Sequence, residues 1–204
     1  MPGRESKAVR QEQIISAILK IVASKGLNNL TTAALAQEVG LTEGALFKHF
    51  PSKEEMLKAA VRKAGHSLVS KVAEIATSTL PPEEKMKSLL NFHLGLLEAN
   101  PDMSRIIFGI IFSDEVYTSY PSLKGIIREV LDEYASHVEA IFQQGIDQGL
   151  FNPRLSSHRL PYILIGLIQG AFIRWHLYEG KLSLKEEAEQ IYQVMMLLAV
   201  PAHV

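Results

Sequence analysis

Cysteine is absent from the 204 residues. Its absence excludes disulfides, thiolate nucleophiles and Cys-ligated zinc, and is compatible with a reducing compartment. Aromatics are only 7% of the chain. No stretch reaches the ~18 uninterrupted apolar residues of a membrane span. The most apolar run, residues 160–173, is broken by Pro161, Gly166, Gln169 and Gly170. Residues 1–13 are polar and lack the apolar segment of a signal peptide. A soluble cytoplasmic protein without membrane contact is expected. Metal-spaced pairs, nucleophile motifs and phosphate loops are also missing. Glu133 and His137 are four apart, but no second His completes a metalloprotease pattern. No enzyme activity, cofactor or metal is therefore expected.

An excess of charge of either sign is lacking too, with a net of −1. Up to Ala60 there are eight basic and six acidic residues, which leaves +2 there and −3 in the remainder. The asymmetry is mild, but phosphates respond to a local patch rather than to total charge. The hydrophobic fraction, 47%, is ample for a buried core, and helical spacing of apolar residues recurs along the chain. The expected fold is all-α with about nine helices and no strand.

The most informative stretch is residues 31–56, TTAALAQEVGLTEGALFKHFPSKEEM. A short helix over 33–39 is capped by Thr31 or Thr32. Gly40 supplies a left-handed turn, and Thr42 caps a second helix over 43–48. This is a helix-turn-helix pattern, which lays its second helix in the major groove of DNA. Gly44 and Ala45 are small enough for close approach to base edges, and an Ala methyl can meet a thymine methyl. Thr42 and the neighbouring N–H groups can hold a phosphate. Lys48, His49 and Lys53 can pair with backbone phosphates. The candidate DNA contacts are thus Thr31, Thr32, Thr42, Glu43, Gly44, Ala45, Phe47, Lys48, His49 and Lys53. Two have second readings: His49 as a helix-end hydrogen bonder and Phe47 as a core aromatic.

At residues 41–57 the sequence resembles the tetracycline-repressor (TetR) family of bacterial transcription regulators. Thr42, Gly44, Ala45, Leu46, Phe47, His49, Phe50, Ser52, Lys53, Glu54 and Leu57 carry the resemblance. It covers about the first quarter closely, and the remainder in helix count and texture. One departure matters: the family usually has Tyr at the position of Phe47, where the hydroxyl bonds a phosphate. Phe cannot make that bond, so the phosphate grip leans on Thr42, His49 and Lys53.

Around this stretch, Ile14, Ile18, Ile21, Leu35, Val39, Leu46 and Phe50 should form the core of a three-helix domain, residues 1–51. Arg4 and Lys7 form a basic arm or a solvated tail. Ser52 and Glu55 read as a capping box opening a long helix. The resemblance implies that this helix is a lever into an effector-binding and dimerisation domain, residues 52–204. Helices are then expected over 82–99, 103–112, 121–148, 156–178 and 183–199. The last two are apolar around most of their circumference, which requires cover on several sides. Leu164, Gly166, Leu167, Gly170, Ile191, Met195 and Leu198 are the candidate homodimer interface, with packing inside one chain as the alternative. Gly95, Gly109 and Gly125 lie within helices and could make room for a small-molecule cavity lined by Phe92, His93, Leu96, Phe108, Phe112, Tyr134 and Trp175. A filled core is the alternative there.

The expected function is a DNA-binding transcription regulator, a repressor in the family's habit. It would bind a palindromic double-stranded operator as a homodimer and be released by a small apolar or amphipathic effector. The alternative is a helix-turn-helix protein whose C-terminal domain binds a protein partner.

Overall fold

The structure, a computed structural model, describes residues 6–101 and 114–199. Among these residues there are nine α-helices and no strand, an all-α fold. They are α1 Lys7–Lys25, α2 Thr32–Val39, α3 Glu43–His49, α4 Lys53–Thr77, α5 Pro82–Ala99, α6 Asp114–Ser119, α7 Leu123–Asp147, α8 Leu160–Leu177 and α9 Leu184–Ala199. Arg4, Phe108, Gly109, Phe112 and the helix expected over 103–112 lie outside the described residues. The short helix α6 was not expected.

The chain divides into two compact units. One contains Met1–His66 and Pro101–Val130, the other Ser67–Asn100 and Leu131–Val204. Helices α4 and α7 each contribute to both.

In the first unit, α1, α2 and α3 pack on one another. Ser6 caps α1, its Oγ accepting from the Val9 N–H. A 3-10 turn, Leu27–Asn29, follows Gly26. Ile14, Ile18, Ile21, Leu35, Leu46 and Phe50 are buried together, while Val39 packs at the edge, partly covered. Met56, Leu57 and Ala60 of α4 join them. So does Leu123 at the start of α7, fully buried, with Val116 and Tyr120 alongside. These three come from far along the sequence, and no periodicity in the first quarter announces them. The first turn of α4 is tied to the same segment: the Glu54 carboxylate accepts from both the N–H and the hydroxyl of Ser122. Those two bonds hold the Glu54 carboxyl below the usual carboxylate range.

In the second unit α5, α8 and α9 pack on one another. Pro82 stands in the first turn of α5, where a missing N–H costs nothing, and Glu83 and Glu84 favour that end electrostatically. α8 begins at Leu160, later than expected, because Pro161 is tolerated only in the first turn. By length and composition α8 could cross a bilayer. Here Leu160, Leu164, Ile168 and Phe172 are buried against the rest of the unit. Ser183 caps α9, its Oγ accepting from the Glu186 N–H.

Among the described residues of this unit, Lys85 is the buried charge, only 3% exposed. Its Nζ donates to the Ala76 carbonyl at 2.8 Å and to Gln144 Oε1 at 2.7 Å. Ala76 lies in the last turn of α4, where carbonyls lack helical partners and the helix dipole favours a cation. Lys85 therefore closes the end of α4 and joins it to α5 and α7.

Phe151 is also fully enclosed, against α7 at Gly145. A Cβ at Gly145 would lie 2.1 Å from Phe151 Cδ2, so no larger residue fits without moving the ring. Gly145→Ala is expected to destabilise the chain by about 1–3 kcal/mol through overpacking, read as a lower urea midpoint with unchanged helical circular dichroism.

Candidate nucleic-acid interface

The turn between α2 and α3 is built by local chemistry. Thr31 caps α2, its hydroxyl accepting from the Ala34 N–H at 3.0 Å. α2 ends at Gly40, which is left-handed at φ 65°, ψ 36°. A β-carbon would be strained there. The N–H groups of Gly40 and Leu41 close back on the carbonyls of Gln37 and Ala36, the pairing of a Schellman stop. Thr42 then caps α3, accepting from the Ala45 N–H at 3.2 Å.

Leu46, with no exposed surface, pins α3 to the core. The remaining residues are thereby turned outward. Thr42, Glu43, Gly44, Phe47 and Lys48 are exposed, and Ala45 is half-buried. Phe47 is 44% exposed and is not a core aromatic; Leu46 and Phe50 hold those places instead.

Several candidate contacts have partners inside the chain. The Thr32 hydroxyl donates to the Glu43 carboxylate, joining the start of α2 to the start of α3. The His49 carbonyl accepts from Gln11 Nε2 at 2.9 Å, which ties the end of α3 to α1. His49 Nδ1 is buried without a hydrogen-bond partner, so only the Nε2 edge can serve an outside acceptor. Lys53 is half-buried, its ammonium 5.8 Å from the centroid of the Tyr120 ring. Ser52 Oγ accepts from the Glu55 N–H. The Glu55 carboxylate, expected to complete the capping box, pairs with Lys58.

In the second unit the candidate effector residues do not behave as one group. His93 Nδ1 and Tyr134 Oη are 2.9 Å apart with the rings edge to face. Burial pushes the His93 imidazole down to about 4 and raises the Tyr134 phenol. Both are neutral at pH 7, and the tautomer decides which donates. Trp175 stacks on Phe172 of the same helix and lies over Gly180; its Nε1 is buried without a partner. Phe92 and Leu96 are half-buried. Gly95 and Gly125 face open space, so they do not relieve crowding in the core. Gly145, beneath Phe151, and Gly65, whose added Cβ would meet Val130 at 2.6 Å, are the close-approach glycines of these helices.

The candidate interface residues divide as well. Leu164, Ile191 and Met195 are enclosed within the subunit. A second chain laid on these helices would not meet them. It would meet the outward apolar residues Ile163, Ile173 and Leu177 of α8, with Gly166 and Gly170 between them, and Val194, Leu197 and Leu198 of α9. Leu167 is half-buried.

The family model of bacterial regulatory proteins, tetR family, matches residues 14–60, which include α2, the turn and α3. The model of the YsiA-like protein C-terminal region matches residues 62–198. The chain belongs to the TetR family of DNA-binding transcription regulators. The nucleoid occlusion factor SlmA of Vibrio vulnificus is 26% identical over 193 residues, 93% of this chain and 95% of that one. In fold, the chain matches the transcriptional regulator FadR from Bacillus subtilis, solved in complex with stearoyl-CoA. The TM-score is 0.80 at 18% identity, covering 92% of this chain and 98% of that one. It also matches a regulator from Saccharomonospora viridis in complex with choline, with a TM-score of 0.79 at 18% identity over 96% and 100% of the two chains.

The His93–Tyr134 pair makes stability depend on pH. Between the ordinary value of 6.5 and about 4, the unfolded chain binds a proton that the folded chain refuses. The stability due to neutral His93 is complete above this window and is lost as the pH falls through it, by roughly 3 kcal/mol in all. Urea unfolding at pH 7.5 and pH 5 should show a smaller difference for His93→Leu than for wild type.

Proposed function

We propose that the chain is a transcriptional repressor that binds a palindromic operator as a homodimer and releases it when a small amphipathic molecule occupies the second unit. The functional division would be 1–51 for DNA and 52–204 for effector and partner, with the protein acting in the cytoplasm on the nucleoid. The observation that carries the DNA half is the outward face of α3, held by Leu46, the Gly40 stop and the Thr42 cap within the stretch matched by the tetR family model. In the proposed docking this face enters the major groove. Thr42, Lys48, Lys53 and the Nε2 edge of His49 meet phosphates on either side.

Pairing is supported by the exposed apolar residues of α8 and α9. Ile163, Ile173, Leu177, Val194, Leu197 and Leu198 are large apolar side chains left exposed on two helices that pack on each other. A twofold pair would present two α3 helices to two half-sites. Effector control is supported by the small molecules bound to the two structural relatives, one an acyl-CoA and one choline. The residues proposed to face an effector are Phe92, His93, Leu96, Tyr134 and Trp175. The link to DNA would run through α4, whose first turn holds Lys53 and is fastened by Glu54 to Ser122 at the head of α7. A ligand shifts such a system only by its difference in affinity for the two states.

A second reading has the protein bind DNA and use its C-terminal half for a protein partner. It is favoured by the similarity to a nucleoid occlusion factor across nearly the whole chain. Titrating the full-length protein on a duplex enriched from a random pool, with and without stearoyl-CoA or choline as probes, separates the two. Release by either probe supports effector control. A complex indifferent to both turns the case towards a protein partner.

Lys53→Ala is expected to weaken binding to all duplexes alike and to lower the slope of log K against log salt by about 1 per contact removed. Unchanged affinity and slope would refute the docking. Ala45→Trp should abolish operator binding while moving the thermal midpoint little.

A further inference from the structure

We propose that Phe47 reads thymine, seating the C5-methyl group of the base in the notch that Gly44 leaves open beside its ring. The inference rests on the DNA-binding reading above and adds a specificity-determining residue to it.

Phe47 has no explanation in the packing of its own chain. Its neighbours Leu46 and Phe50 are buried, whereas Phe47 is 44% exposed, turned away from the core to the side of them. Gly44 stands three residues earlier, so the two share one strip of the helix surface. A β-carbon added at Gly44 would meet nothing within 4 Å, and its backbone does not need glycine's left-handed freedom. The absent side chain is thus not demanded by the fold. What it provides is a bare strip of backbone next to an aromatic ring.

The chemistry of that strip selects its occupant. A phenyl ring has no hydrogen-bond donor, so it cannot bond a phosphate, and it gains nothing against the polar atoms of base edges. In the major groove the apolar group on a base edge is the C5-methyl of thymine. Deoxyribose is the other apolar surface of a duplex, but every nucleotide carries it. Lys48, exposed beside Phe47, supplies a charge for the backbone that frames the groove. Ring and gap together are therefore suited to a methyl projecting from a base, and the contact would depend on sequence.

The test uses the full-length protein to enrich duplexes from a randomised pool. The enriched duplex is then resynthesised with deoxyuridine in place of thymidine, one position at a time. Wild type should lose about three- to fivefold in affinity at particular positions, the effect of removing one buried methyl. Phe47→Ala and Phe47→Gln should bind more weakly overall and show no loss at those positions. Phe47→Tyr should keep the loss. Thermal melts of all variants establish that they are folded, and Phe47→Gln serves if Phe47→Ala is not. A uridine scan that is flat for wild type, or the same in wild type and Phe47→Ala, overturns the assignment while leaving DNA binding intact. A wild-type protein that enriches no duplex overturns the DNA-binding docking as well.

Discussion

Burial of Leu46 is the contact on which the first unit depends. α3 is only seven residues long, too short to be stable by itself in water. Its position comes from one enclosed side chain and two local devices, the left-handed stop at Gly40 and the hydroxyl cap at Thr42. With Leu46 inward, helical geometry turns Gly44, Phe47 and Lys48 outward. The core thus specifies which residues a duplex would encounter without contributing any base contact itself. Gln11 on the His49 carbonyl and Thr32 on Glu43 fasten the two ends of the same short helix.

The second unit is held by apolar packing of α5, α8 and α9 together with a few enclosed polar groups. Lys85 joins α5 to the end of α4 and to Gln144 of α7. His93 and Tyr134 join α5 to α7 again, two turns further along. Buried polar bonds of this kind accept little displacement, because a separated partner is left unsatisfied in a poorly solvating interior. The register of α5 against α7 is therefore set more narrowly than leucine packing alone would set it.

Local signals were legible in the sequence wherever a residue type has one physical use. Thr31, Gly40, Thr42, Ser52 and Ser183 marked helix ends because caps and stops are short-range chemistry. Ile14, Ile18, Leu35, Leu46 and Phe50 marked the first core because amphipathic spacing shows which face is turned inward. The all-α fold and the family followed from these. Long-range choices were not legible. Lys85 reads as a solvated residue of a polar first turn, and only the fold brings Ala76 and Gln144 to it. Leu123 looks like the start of a remote helix, yet it completes the first core. In α8 and α9 nearly every face is apolar, so spacing could not separate Leu164, Ile191 and Met195, which face the subunit interior, from Ile163, Val194 and Leu197, which face out. Phe47 stayed ambiguous because an aromatic suits either a core or a groove until Leu46 is seen to take the inward place.

The Thr32–Glu43 bond has a consequence for the proposed docking. It immobilises a carboxylate at the head of α3, on the face that the proposed docking presents to a polyanion. An acid held there would repel any duplex, whatever its sequence, and the neutral Thr32 hydroxyl beside it would only partly offset that charge. In that docking a stretch of arbitrary sequence would offer nothing to compensate. Only a site with enough well-placed partners would outweigh the repulsion, so the fixed charge would trade affinity for selectivity.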